Sequence, residues 1–229
     1  MSDTESSATP TTAPPTPGYP ATLEIDYQDR LSRVTTIFRL ILVIPIAIVL
    51  GILTSGGESV VMTVNEAGEV VNDVSTGGLG ILGSLFLVTL LLLLFRKKYP
   101  KWWFDFNLAL HQFAARLSAY VLLITDRYPS TDEQQNVHLD VPYPNAQTEL
   151  NRGLPLVKWF LAIPHYFILF FLSIAAFFVV VIGWFAIIFV GRFPRGMFNF
   201  VVGVMRWWWR VQAYAFVLAT DKYPPFSLN

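Results

Sequence analysis

The residues of this chain that could do chemistry are bases set inside or beside apolar segments. Arg39, Arg116, Lys158, Arg206 and Arg210 are placed so. There a base meets a lipid phosphate, lines a cavity or pairs with an acid. Two acids suit the last role, Asp126 in "TDRYP" (125–129) and Asp221 in "TDKYP" (220–224). Thr-Asp ahead of Tyr-Pro favours a capped turn, and either carboxylate could reach Arg116 or Arg210. Both are therefore read as structural salt-bridge acids. In "VMRWWWRVQAY" (204–214) three tryptophans, Trp207 among them, stand between Arg206 and Arg210. Three consecutive helical residues point in three directions, so they cannot box a cation. An indole joins an apolar ring to a polar N–H and suits the membrane–water interface. Arg39, Arg116, Lys158, Arg206, Trp207 and Arg210 are thus candidate contacts for anionic lipid or a partner. Each base contributes roughly 1 kcal/mol near an anionic surface.

Other chemistries find little support. The chain has no cysteine, so it offers no disulfide, thiolate ligand or cysteine nucleophile. Its histidines are His111, His138 and His165. His165 falls in an apolar segment, where an ionisable group is a functional candidate by default. "GLGILG" (78–83) fits a dinucleotide fingerprint only on paper, because it opens a membrane helix and not a βαβ unit. No Ser/His/Asp constellation or metal-ligand spacing is visible. The expectation is a non-enzymatic protein without catalytic, cofactor or metal residues, and nothing points to nucleic acid.

The elements that must position these groups are apolar. Hydrophobic residues make up 54% of the chain and charged residues 14%, against roughly 25% charged in soluble domains. None of the 16 bases lies in 40–95 or in 159–191, and the loop 51–80 carries Glu58, Glu66, Glu69 and Asp73. The positive-inside rule then places both termini and the centre in the cytoplasm and the acidic loop outside. Residues 1–22 are rich in Ser, Thr and Pro and read as a disordered cytoplasmic tail, not a signal peptide. Segments 35–53 and 79–95 form a transmembrane hairpin. Its external loop, 54–78, holds a small β-hairpin at "VVMTVNEAGEVV". The run 154–190 as one helix would be about 55 Å long, far beyond a ~30 Å hydrocarbon core. A single crossing would also carry Arg192, Arg195, Arg206, Arg210 and Lys222 outside. A second hairpin, 155–172 and 174–190, turning near Ser173, satisfies both constraints.

An internal repeat ties these parts together. A shift of 119 residues lays Arg33 on Arg152, Arg39 on Lys158 and Pro45 on Pro164. A shift of 94 lays Arg116 on Arg210 and Tyr120 on Tyr214, and one residue more brings "TDRYP" onto "TDKYP". Each hairpin is followed by an amphipathic segment, about 102–125 and 196–219. Both ends of each carry cytoplasmic-type charge, so the segments lie flat in the interface. Pro45 and Pro164 are expected to kink the first helix of each hairpin. The fold class is an all-α integral membrane protein of two tandem repeats, 23–135 and 136–229. Each repeat is a short transmembrane hairpin plus an interfacial helix, in a multi-pass protein of the inner or plasma membrane.

"GRFPRGMFNFVVGVMRWWWRVQAYAFVLATDKYPPFSL" (191–228) resembles the C-terminal signature of a prokaryotic membrane-protein family, domain of unknown function 4389. The matching motifs are Gly-Arg-aromatic-Pro at 191–194, Arg206-Trp207, Arg-Val-x-Ala-Tyr at 210–214 and Thr-Asp-x-Tyr-Pro-Pro-Phe at 220–226. "RLSRVTTIFRLILVIP" and "LNRGLPLVKWFLAIPHYFILF" extend the resemblance from about residue 23 to the C-terminus, as a tandem repeat. It implies a membrane protein and supplies no activity, substrate or cofactor. The first copy departs from the signature, since "RKKYPKWW" lacks the Gly-Arg pair. The expected function is a scaffold or accessory subunit of a larger membrane complex. Its partners would be anionic membrane lipids and other membrane-protein subunits or further copies of itself. The alternative is a small transporter, channel or anionic-lipid-binding protein. Arg33, Arg39, Arg116, Arg152, Lys158 and Arg210 would then line a basic cytoplasmic-side cavity.

Overall fold

The computed structural model describes residues 18–54, 59–64, 70–75, 80–130, 133 and 135–229. Residues 1–17 of the expected tail and the "NEAG" turn lie outside the described residues. The elements run β1 (Thr22–Ile25), α1 (Arg33–Thr54), β2 (Ser59–Val64), β3 (Val70–Ser75), α2 (Ile81–Leu91), α3 (Lys101–Val121), β4 (Val137–Asp140), α4 (Leu154–Leu161), α5 (Ile163–Val190) and α6 (Arg195–Ala215). A π turn, Leu92–Arg96, continues α2. The tail boundary shifts to before residue 19, because Tyr19 donates to the Arg210 carbonyl and Ala21 is buried.

The helices α3 and α6 are built alike. Each follows a proline, Pro100 or Pro194, and runs for 21 residues. Proline suits a helix start, since its missing N–H has no partner to lose there. Just beyond each helix a leucine adopts a left-handed backbone, Leu123 at φ 63° and Leu218 at φ 57°. Leucine rarely adopts that region, and packing holds both, since both side chains are buried.

α5 corrects the expected hairpin. It runs unbroken through Ser173 for 28 residues. "FLSIAAFF" offers no Gly, Pro or Asn to turn on, and a turn would leave backbone groups unpaired among apolar side chains. The interruption falls at Ala162 instead, where Pro164 lacks an N–H, so Pro164 opens α5 and does not kink it. Pro45 does lie inside a helix, α1. Among the described residues, Leu154–Val190 is long and apolar enough to cross a membrane, by length and composition. Ile81–Arg96 is apolar but shorter.

Three layers result. α5 runs back along α6, with Ala162 near Ala215 and Ile187 near Phe198. α6 is the middle layer, with 13 of its 21 residues buried. Against its other side lies an antiparallel ribbon of β1 and β4, registered from Thr22↔Asp140 to Ile25↔Val137. Its alternation turns Leu23, Ile25, Val137 and Leu139 inward and leaves Glu24 and His138 exposed. The ribbon also covers α3, where Gln112 donates to the Leu139 carbonyl at 3.0 Å. β2 and β3 form a separate antiparallel pair, Val64↔Val70 at its inner end.

Candidate functional site

Two base–acid clamps join the layers. At the first, Arg39 of α1 pairs with Asp126 and donates to the Tyr120 carbonyl at 3.0 Å. Its guanidinium carbon stands 4.5 Å over the Tyr120 ring. Asp126 also accepts from the Ser32 amide and the Thr35 hydroxyl. At the second, Lys158 of α4 lies 2.8 Å from Asp221 and donates to the Thr220 carbonyl at 2.7 Å. The approach to Asp221 Oδ1 is a close ion contact off the hydrogen-bond line. The ammonium is 5.1 Å from the Tyr214 ring centroid, and Asp221 accepts from the Asn151 amide at 2.6 Å. Arg39 is 2% exposed and Lys158 0%. Charges so buried are tolerated only with partners. Each clamp fastens the start of an apolar helix to the turn that follows a middle-layer helix.

The pairing expected from sequence is corrected. Arg116 donates to the Ser130 carbonyl at 2.7 Å and Arg210 to the Ser227 carbonyl at 3.4 Å, and neither meets Asp126 or Asp221. Both bases face the segments that fold back after their own helices. The acids sit instead at the ends of α1 and α4. The six bases proposed to share a cavity do not gather either. Arg39 and Lys158 occupy separate clamps, Arg33 reaches the Phe189 carbonyl at 3.3 Å, and Arg152 is exposed.

Of the candidates on α6, Trp207 and Arg210 are buried and Arg206 is half-buried, and all three engage protein groups. Arg206 donates to the Leu23 carbonyl at 3.0 Å and the Leu228 carbonyl at 3.2 Å. Burial, and then the neighbouring Arg206 charge, push the Arg210 guanidinium below its ordinary range. The three tryptophans take three directions. Trp207 donates to His165 Nδ1 at 3.0 Å, Trp209 meets the His111 ring edge-on at 5.9 Å, and Trp208 stays 42% exposed. His165 is fully buried, stacked 4.1 Å from Phe226, with Nε2 unpartnered. Its partners were missed because Phe226 lies 61 residues downstream and no periodicity connects them. The clamps had a sequence signal, since one repeat shift carries Arg39 onto Lys158 and another carries Asp126 onto Asp221.

Beside Trp208 an apolar groove of about 700 Å³ opens between α1, α3, α5 and α6. α6 contributes Val204, Met205 and Trp208, α5 contributes Val180 and Trp184, and Arg39 also lines it. Among the described residues, no group of three or more His, Asp or Glu could hold a metal ion. Residues 155–227 match the family described as Domain of unknown function (DUF4389), one copy in the second half of the chain. No curated protein and no solved structure matches the chain.

Proposed function

We propose that the protein is a non-enzymatic membrane protein that lies along the cytoplasmic leaflet and serves as a scaffold or accessory subunit of a membrane assembly. The layer order carries this reading. On α5, Phe167, Phe178 and Phe189 are 67%, 60% and 75% exposed. They recur every 11 residues and so share one helix face. On the far side of α6, the ribbon keeps Glu24, Asp26 and His138 exposed along the same stretch. A helix standing across the bilayer would carry that ribbon into hydrocarbon, at several kcal/mol per stranded polar group. Lying in the membrane plane keeps the ribbon in water and the phenylalanines in lipid. That posture also keeps Lys158 and Arg192, at the two ends of the apolar stretch, on one side, as the charge rule asks. The amphipathicity that usually belongs to a single interfacial helix belongs here to the stack of layers.

The same reading takes the two halves as tandem copies of one unit. The matched clamps, the two 21-residue helices and the paired left-handed leucines support it. The exposed apolar residues of α1, such as Ile37, Phe38 and Ile41, extend the lipid-facing surface and leave room for neighbouring chains.

Single cysteines at Phe167, Phe178 and Phe189, spin-labelled in vesicles, test the posture, because the chain has no cysteine of its own. The outer two are about 33 Å apart along the helix. Equal depths support an in-plane helix, whereas a deep Phe178 between two shallow ends would overturn it. Purification from the native membrane in mild detergent, with mass spectrometry, tests the role. Stoichiometric partner chains support the scaffold, and a lone protein holding lipid favours lipid handling.

A further inference from the structure

We infer that the groove between α1 and α5 is a binding site for one acyl chain of a bilayer glycerophospholipid; this rests on the in-plane reading above. The groove's floor is the middle layer, formed by Val204, Met205 and Trp208 of α6, and its walls are α5 on one side and the ends of α1 and α3 on the other. Its volume, about 700 Å³, falls within the usual span of ligand pockets. Its rim decides what can enter. Phe177, Val181 and Phe185 line the groove and are also among the exposed apolar residues of α5. The mouth therefore opens on the surface that meets lipid, and hydrocarbon chains are the material present there.

The polar groups of the wall argue against a charged occupant. The positive charge of Arg39 is already matched by Asp126. The hydroxyls of Thr36 and Ser118 donate to the carbonyls of Ser32 and Ala114. A phosphate would find no uncompensated charge, since Asp126 matches Arg39, although the buried Arg39 Nε makes no hydrogen bond. The partnered hydroxyls of Thr36 and Ser118 lose nothing by meeting an apolar chain. Trp208 fits the same account. It is the tryptophan of the three that is left substantially exposed, in the otherwise buried or half-buried stretch 200–215 of α6, and it lines the groove. An occupied groove covers it.

The test uses the full chain in phosphatidylcholine vesicles in which a share of the lipid carries a photoactivatable diazirine in its acyl chain. After illumination the adducts are mapped by mass spectrometry. The expected result is adducts concentrated on groove residues such as Val180, Met205 and Trp208. They should be lost in Val180→Trp, which fills the groove, and in Ser173→Trp, which narrows its mouth. They should be kept in Phe171→Trp, an exposed position outside the groove lining and on the opposite helix face from Val180. Adducts spread evenly over Phe170, Phe171, Phe178 and Phe189 would leave the membrane reading standing and overturn the groove site. A protein that floats free of the vesicles and carries no adduct would overturn the membrane reading itself, and this inference with it.

Discussion

Lys158 shows how much depends on one carboxylate. Its ammonium is 0% exposed, and Asp221 is the acid within ion-pair reach. Removing one member of a buried pair leaves a stranded charge and costs about 3–5 kcal/mol, while replacing both can be nearly neutral. Asp221→Ala should therefore lower the midpoint of thermal unfolding in detergent strongly, and adding Lys158→Met should restore most of it. A single variant as stable as the parent would show that the pair is not a clamp. His111 makes a second residue-scale prediction. Burial pushes its imidazole below the ordinary 6.5, against a weaker upward pull from its 2.7 Å contact with the Asn107 carbonyl. Below about pH 6.5 the unfolded chain takes up a proton that the folded one still refuses. Stability should be fully present above that pH and fall as pH drops towards the lowered folded value. Melting curves between about pH 7.5 and 5.5 read this, and His111→Gln should flatten that part of the slope. A parent whose midpoint does not move over this interval would contradict it.

At the scale of elements, α5 runs unbroken through Ser173, and a substitution there tests that continuity. Inside a helix a proline removes one hydrogen bond and clashes with the preceding turn, at about 3 kcal/mol or more. Ser173→Pro should lower both helicity and the thermal midpoint, whereas a hairpin turning there would accept proline readily. α3 and α6 were legible from sequence because their apolar residues recur at steps of four and three, a pattern packing only reinforces. α5 was not. The argument for a turn rested on length and on the charge rule, and both presume that a long apolar helix must cross. Neither bears on the local chemistry at Ser173, where the helix continues unbroken. The β1–β4 ribbon was missed for another reason. "TLEI" and "VHLD" are four residues each, too short for alternation to stand out, and they pair across more than a hundred residues. The clamps were half legible. The repeat shifts matched base with base and acid with acid, but which base faces which acid is set by how α1 and α4 seat against the following turns.

At the scale of the whole molecule, one side chain joins the two ends of the described chain. Arg206 holds the Leu23 carbonyl of the ribbon and the Leu228 carbonyl of the C-terminal segment, so both straps meet on the side of α6 that the ribbon covers. Gly203, one turn earlier, lets the second strap lie close. A Cβ there would come within 2.9 Å of the Leu228 carbonyl oxygen. The two positions therefore predict different failures. Gly203→Val should displace the C-terminal strap alone, whereas Arg206→Met should loosen both. Hydrogen bonds to a charged group contribute about 1.5–3 kcal/mol, so amide exchange over 19–25 and 223–228 should rise by roughly tenfold to a hundredfold in Arg206→Met. If the ribbon keeps its protection in that variant while the C-terminal segment loses its own, Leu23 and Ile25 hold the ribbon by apolar packing alone, and the straps are independent. If both segments open together, the ribbon and the C-terminal strap form a single cooperative unit, held by one guanidinium on the middle helix.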